Sequence, residues 1–303
     1  MSSTMLQLVT QVTNELGIPT PVSVAGNTSQ DIVQVLALMN ASGYELLRKH
    51  DWRALTKQYS FFTSFLTTTG TYTTAALTVT AIPSTAALDT TYMVVGGGFP
   101  NATFITSVDS STQVTVSQYP TSAATGGTIY FQKCRYALPS DYDAIVPRTQ
   151  WDKSKHWEML GPEDAQQWEW IQSGYISTGP RVRWRLLGQY FQIWPGFSSA
   201  ENLGFEYRSN AWAYTAAGVA KSSFTVDTDT CIFPDRLMVL DTKLKYFQAK
   251  GFDTTSIGAE LAALMEAAID NDTDAPVLSA IGGSSDYPLL SPTFNLPDTG
   301  YGS

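Results

Sequence analysis

Apolar side chains near the amino terminus recur every three or four positions. Met5, Leu8, Val9, Val12 and Leu16 share one side of a 3.6-residue period, and the pattern stops at Gly17 with Pro19 and Pro21 beyond. That spacing predicts an amphipathic helix of about four turns. Ser29 is placed to cap a second helix, with Asp31 in its first turn. Ile32, Val35, Leu36, Met39, Leu46 and Leu47 carry its apolar stripe as far as His50, Asp51 and Trp52. Two such helices joined by a loop rich in Pro and Gly are expected to pack on each other.

The period then changes to two. Between Gln58 and Gln132 the only charged residues are Asp89 and Asp109, and Thr, Ser, Ala and Gly dominate. Alternation at Leu77, Val79 and Ala81, from Phe104 to Val108, at Val114 and Val116, and at Ile129 and Phe131 predicts short half-buried strands. Gly96 to Gly98, Pro100 with Asn101, Asp109 to Ser111, and Thr125 to Gly127 supply the turns between them. A separate all-β module, sandwich-like or barrel-like, is expected over residues 58–132.

Charged residues return after Lys133. The stretch from Leu138 to Val146 predicts a short capped helix. Gly161 to Gly174 predicts another, with Pro162 in the first turn and Glu163 and Asp164 near the positive end of its dipole. Arg181 to Leu186 and Gln189 to Pro195 flank a turn at Leu187 and Gly188, which reads as a hairpin, and Leu203 to Trp212 is a third strand able to complete a meander. A helix from Phe233 to Gly251 opens with Pro234 and an acid and turns Leu237, Leu240, Leu244 and Phe247 inward; another runs from Ser256 to Asn271. Residues 272–303 hold four aspartates, four prolines and no basic residue. They are expected to form an extended tail in the free subunit, with Tyr287, Leu289, Leu290, Phe294 and Tyr301 as apolar anchors for docking on a neighbour.

The expected fold is therefore α+β: a helical-bundle core, an inserted all-β module, a small antiparallel β meander and an extended C-terminal tail. Its parts are N-terminal helices over 1–57, the insert over 58–132, the remaining core over 133–271, and the docking tail over 272–303.

Composition narrows the function. The formal net charge is -9, and no basic run is longer than the spaced Arg181, Arg183 and Arg185. That argues against tight binding to a phosphate backbone, which needs a concentrated basic surface. An acidic wall does suit a channel through which DNA passes without sticking. The eight tryptophans fall mostly between Trp151 and Trp212, and Trp184, Trp194, Trp212, Tyr246 and Phe247 are expected to make subunit or core contacts. Cys134 and Cys231 are far apart and fit neither a disulfide framework nor a metal site, so both read as free thiols. The polar amino terminus does not read as a signal peptide, and no stretch has the length to span a bilayer, so assembly in a cytoplasm without membrane contact is expected.

Chemistry is sparse. His50 and His156 are the only histidines; His156 has Asp152 before it and Glu158 after it but no third ligand, and reads as a surface residue. Asp227 and Asp229 lack the glycine and closing glutamate of a calcium loop and read as turn formers. The glycines from Gly96 to Gly98 are followed by no Lys-Ser or Lys-Thr, so they do not form a phosphate cradle. No catalytic residue, cofactor or metal is expected.

One longer phrase carries a resemblance. Residues Phe224 to Asp253, FTVDTDTCIFPDRLMVLDTKLKYFQAKGFD, with Phe205 to Trp212 before them, resemble the carboxy-terminal signature of the head-to-tail adaptor, or connector, proteins of tailed bacteriophages. The opening helices, the residues around Asp51 and the segment from Leu138 to Val146 are similar to that family in order and spacing. The insert looks like the small Thr/Ser-rich β modules of phage structural proteins, through ALTVTAIPSTAAL and ITSVDSSTQVTVS. The resemblance implies a non-enzymatic virion protein of the neck, forming a homo-oligomeric ring, twelve-fold in relatives. It also implies a C-terminal tail that binds the portal protein, an opposite face that receives tail, nozzle or tail-fibre proteins, and a lumen that passes genomic DNA without reading its sequence. Two other classes stay open: a tail-associated enzyme degrading glycan or peptidoglycan, which needs an acidic pair in a cleft, and a receptor-binding module built on the insert.

Overall fold

A computed structural model describes residues 3–174 and 181–273. In chain order the elements begin with helices α1 (Met5–Leu16) and α2 (Gln30–Lys49), then strands β1 (Thr56–Phe62), β2 (Phe65–Tyr72), β3 (Thr78–Val79), β4 (Tyr92–Val95), β5 (Thr103–Ser110), β6 (Gln113–Val116) and β7 (Ala124–Lys133). Next come β8 (Arg135–Ala137), β9 (Tyr142–Ile145), β10 (Trp151–Asp152), β11 (Trp157–Glu158), helix α3 (Ala165–Gln172), β12 (Arg183–Leu187), β13 (Tyr190–Trp194) and β14 (Asn202–Ser209). The last are β15 (Ala213–Tyr214), β16 (Ala220–Lys221), β17 (Thr230–Cys231), α4 (Asp235–Lys250) and α5 (Thr255–Asp272). The chain divides into two compact units. Within the described residues, one comprises 3–57, 140–145 and 207–273, and the other 58–139, 146–174 and 181–206.

The first unit gathers α1, α2, α4, α5 and the three-stranded sheet β16-β15-β17. Helix α1 starts in a reciprocal cap: the Thr4 hydroxyl accepts from the Gln7 amide, and the Gln7 side chain accepts from the Thr4 amide at 2.9 Å. It stops at Gly17, whose left-handed backbone (φ 70°) no β-branched residue would tolerate. Its buried face, Met5, Leu8, Val9 and Val12, joins Val35, Met39 and Leu46 of α2, Leu237 and Leu240 of α4, and Ile257 and Leu261 of α5 in one apolar cluster that also holds Trp52, Trp212, Phe224 and Phe233. Gly43 of α2 leaves the space the Trp212 indole occupies, since a β-carbon there would lie 2.2 Å from the ring.

The second unit is built from sheets. Six antiparallel strands run in the order β2-β7-β4-β5-β6-β3, with Val79, Ile105, Val114, Ile129 and Phe131 among the residues buried on one face. A three-stranded sheet, β12-β13-β8, lies in the same unit. Trp168 and Ile171 of α3 pack with Met93, Cys134 and Trp194.

The expectation of a helical-bundle core is overturned. Among the described residues, strand accounts for 31% against 29% helix, in seventeen strands and five α-helices with one short 3-10 turn. A helical stripe of twelve to twenty residues announces itself in a sequence, whereas β3, β10, β11, β15, β16 and β17 have two residues each, too few to show a period. The stretch from Leu138 to Val146 is also not a helix. Its Tyr142–Ile145 pairs antiparallel with Tyr207–Ser209 of β14, and the Asp141 carboxylate just before it is held by side chains distant in sequence. Nor does β14 complete the hairpin: β13 takes β8 as its other neighbour, while β14 pairs with β9 and β10. The hairpin turn is Gly188-Gln189, one position later than expected, because Leu187 pairs with Tyr190.

Candidate functional site

The residues that the sequence singled out around Asp227 lie in a turn of the first unit. Helix α1 leaves its first amides without helical partners. Two of them are met by the turn from Phe224 to Thr230: Met5 N donates to the Asp229 carbonyl at 2.7 Å and Leu6 N to the Asp227 carbonyl at 3.2 Å. The Asp227 carboxylate accepts from Ser23 Oγ at 2.6 Å, Val24 N at 2.9 Å and Ala25 N at 2.8 Å, which fixes the loop between α1 and α2. Asp229 is buried; one of its oxygens accepts from Thr225 N at 2.8 Å and Val226 N at 2.9 Å and pairs with Lys221. Burial pushes both carboxyls up, but these donors outweigh it and hold each below the usual carboxylate range.

Three more acids tie the same unit. Asp141 accepts from Lys57 Nζ at 2.7 Å, Tyr207 OH at 2.8 Å and Ser209 Oγ at 2.7 Å. Burial opposes its ionisation, yet the three donors and the Lys57 charge bring its pKa down to about 2. Asp241 of α4 lies 3.3 Å from Lys49 of α2 and 3.6 Å from Lys245. Asp272, at the end of α5, is 3.1 Å from His50 Nε2 and accepts from Arg53 N at 3.0 Å. Asp141, Asp227, Asp241 and Asp272 tie segments distant in sequence, whereas the Asp229 carboxylate closes its own turn; Asp229 Oδ1 and Asp241 Oδ2 are buried without a hydrogen-bond partner among the described residues.

No protein-family model and no curated protein matches the chain.

The other residues of chemical interest stand apart. His50 belongs to the first unit and His156 to the second, where it occupies a left-handed backbone (φ 57°) in the turn between β10 and β11. Asp152 does not precede His156 on a helix; its carboxylate accepts from Ser154 N and Lys155 N, both at 3.0 Å, and closes that turn. Cys134 and Cys231 are buried free thiols, each pushed up to about 12 by burial. Among the described residues, no group of three or more His, Cys, Asp and Glu could hold a metal ion, and no helix is long and apolar enough to cross a membrane.

The five expected contact residues all make contacts inside the chain. Trp184 stacks on Phe191 at 5.3 Å, Trp194 packs beside Met93 and Trp168, and Trp212 meets Phe224 edge-on at 4.9 Å. Tyr246 is buried in the cluster of the first unit, and Phe247 is half-buried against Phe252 at 5.4 Å. Tyr287, Leu289, Leu290, Phe294 and Tyr301 lie outside the described residues. Reading the sequence for interface aromatics missed Phe62, Trp170 and Phe252, which are 68%, 52% and 58% exposed. The alternation Phe61-Phe62 in β1 carried a signal for the first, since Phe61 packs against Tyr136 at 4.4 Å and its neighbour must face the other way.

Proposed function

We propose that this chain is a non-enzymatic head-to-tail adaptor of a tailed bacteriophage, a subunit of a ring in the virion neck that joins portal to tail and lets DNA through. One observation carries the reading. The segments with the family resemblance are the two opening helices, the residues around Asp51, the strand after Pro139, the end of β14 and the stretch from Phe224 to Asp253. They fall wholly or mostly in one compact unit, although more than a hundred and fifty residues of chain separate the first from the last. The Asp141 and Asp227 carboxylates and the Asp229 backbone carbonyl, which lie within those segments, are among the groups that bind them together. The net charge of -9 agrees with a conduit that does not retain DNA.

In this proposal the residues after Asp272 dock on the portal, as a segment with no basic residue and several apolar anchors does on a partner surface. The test is native mass spectrometry of the purified chain mixed with a purified portal ring. A ring-sized complex with the full chain, and none with a chain ending at Asp272, supports the adaptor reading. A monomer that ignores the portal in both forms overturns it.

A further inference from the structure

A cleft of about 290 Å³ opens in the second unit beside the three-stranded sheet β12-β13-β8. Gln192 is paired in register with Arg185 on one side and Arg135 on the other, so these three side chains form one row across the sheet and share a face. Each guanidinium lies over an aromatic ring: Arg185 is 4.5 Å from the Trp168 centroid and Arg135 is 4.8 Å from that of Phe104. Neither is ion-paired with a carboxylate among the described residues, whereas Arg183, two residues before Arg185, is paired with Glu163. Glu169 stands on the rim of the cleft and raises the Arg185 pKa through its charge without reaching ion-pair distance.

The row presents donors only. Arg185 Nε donates to Gln192 Oε1 at 3.0 Å, and because a guanidinium cannot accept, this bond fixes which way the amide faces. The Gln192 acceptor is thereby engaged, and its Nε2 donates to no other described residue, while the residue as a whole is 6% exposed. Arg135 makes one long bond, from Nη1 to the Thr90 carbonyl at 3.5 Å. The two positive charges are close enough to repel, and burial together with that repulsion pulls Arg185 below its usual value despite Glu169. Two immobilised guanidiniums with an amide N–H group between them lack only an acceptor carrying negative charge.

We propose that the Arg135–Gln192–Arg185 row binds a small dianionic oxyanion, a dicarboxylate or a phosphate monoester, with both guanidiniums sharing its charge and Gln192 Nε2 donating to the oxygens between them. This site is independent of the adaptor reading. Isothermal titration of the full chain at matched ionic strength, with inorganic phosphate and with succinate as probes and glycerol as the neutral control, tests it. One saturable site for either anion in the millimolar range, and none for glycerol, supports the proposal. R135Q and R185Q then weaken binding about tenfold or more each, because each removes a charge-assisted contact. R148Q, the same charge change at an exposed arginine of the same unit, leaves binding unchanged. Unaltered circular dichroism of the variants separates lost binding from lost fold, and R185K, which keeps the charge and loses the planar fork, falls between wild type and R185Q. No saturable heat from either anion overturns the proposal. So does binding that survives the R135Q/R185Q double variant. Concentration-dependent self-association that needs both arginines, with no response to the free anions, also overturns it and gives the row to an acidic segment of a second copy.

Discussion

Replacing Asp141 with Asn removes a charge from a site with three donors, one of them the Lys57 ammonium. The carboxyl falls from 3.8 to about 2 on folding, which corresponds to about 2 kcal/mol of stability at neutral pH. Its side chain is 22% exposed, so little of that is lost to solvent screening. An Asn at this position also turns an amide N–H group toward donors and leaves Lys57 half-buried without its partner, so the expected loss is about 2–3 kcal/mol. A group whose folded pKa is depressed stabilises the fold above its unfolded pKa, and that stability disappears as pH falls through the folded value. The difference between wild type and D141N is therefore full at pH 7 and shrinks between about pH 4 and pH 2. Urea unfolding followed by circular dichroism, to which the helices of the first unit contribute most, measures it. A difference of the same size at every pH, or none at pH 7, would refute the assignment of Asp141 as the ionised tie between β9, β14 and Lys57.

Three further outcomes are expected. G43A places a methyl group against the Trp212 ring and costs about 1–3 kcal/mol in thermal unfolding despite the better helix propensity of alanine; an unchanged or raised midpoint contradicts the close approach. D227A, which deprives Ser23, Val24 and Ala25 of their acceptor, lowers stability by about 1–3 kcal/mol, and calcium titrated into the wild type produces no heat and no change in melting, whereas a calcium-induced rise in melting would make the turn a metal loop. Cys134 and Cys231 resist a thiol reagent in the native chain near pH 8 and both react in urea; fast native labelling of either would contradict its burial and raised pKa.

The parts of the fold legible in the sequence are those whose signals are local. Helices α1 and α4 end at Gly17 and Gly251, both left-handed, and α4 opens after Pro234 with Asp235 in its first turn. Their lengths expose a full apolar stripe. The reading failed where a local signal was captured from afar. The stretch from Leu138 to Val146 reads as a short capped helix, but the donors that reach Asp141 lie 84, 66 and 68 residues away, and the residues after it pair as a strand. Leu203–Trp212 reads as the third strand of the meander, whereas the strand that pairs there, Arg135–Ala137, precedes the hairpin by about half a hundred residues and is too short to show alternation. The same separation hides the arginine row: Arg135 and Arg185 become neighbours of Gln192 only through the register of three strands, which no periodicity in a single segment reveals.

The first unit joins residues 3–57 to residues 207–273, and this sets a timetable for synthesis. Ser42 of α2 and Thr242 of α4 touch across a separation of 200 residues. At ribosomal rates, α1 and α2 therefore wait about 10–40 s with their apolar faces uncovered before α4 emerges to meet them. The six-stranded sheet is complete in sequence by Lys133 and can fold during that interval. The nascent chain thus carries a finished six-stranded sheet while the helical unit is still incomplete, and it is the early helices, with Met5, Leu8, Val35 and Met39 unburied, that most need a chaperone.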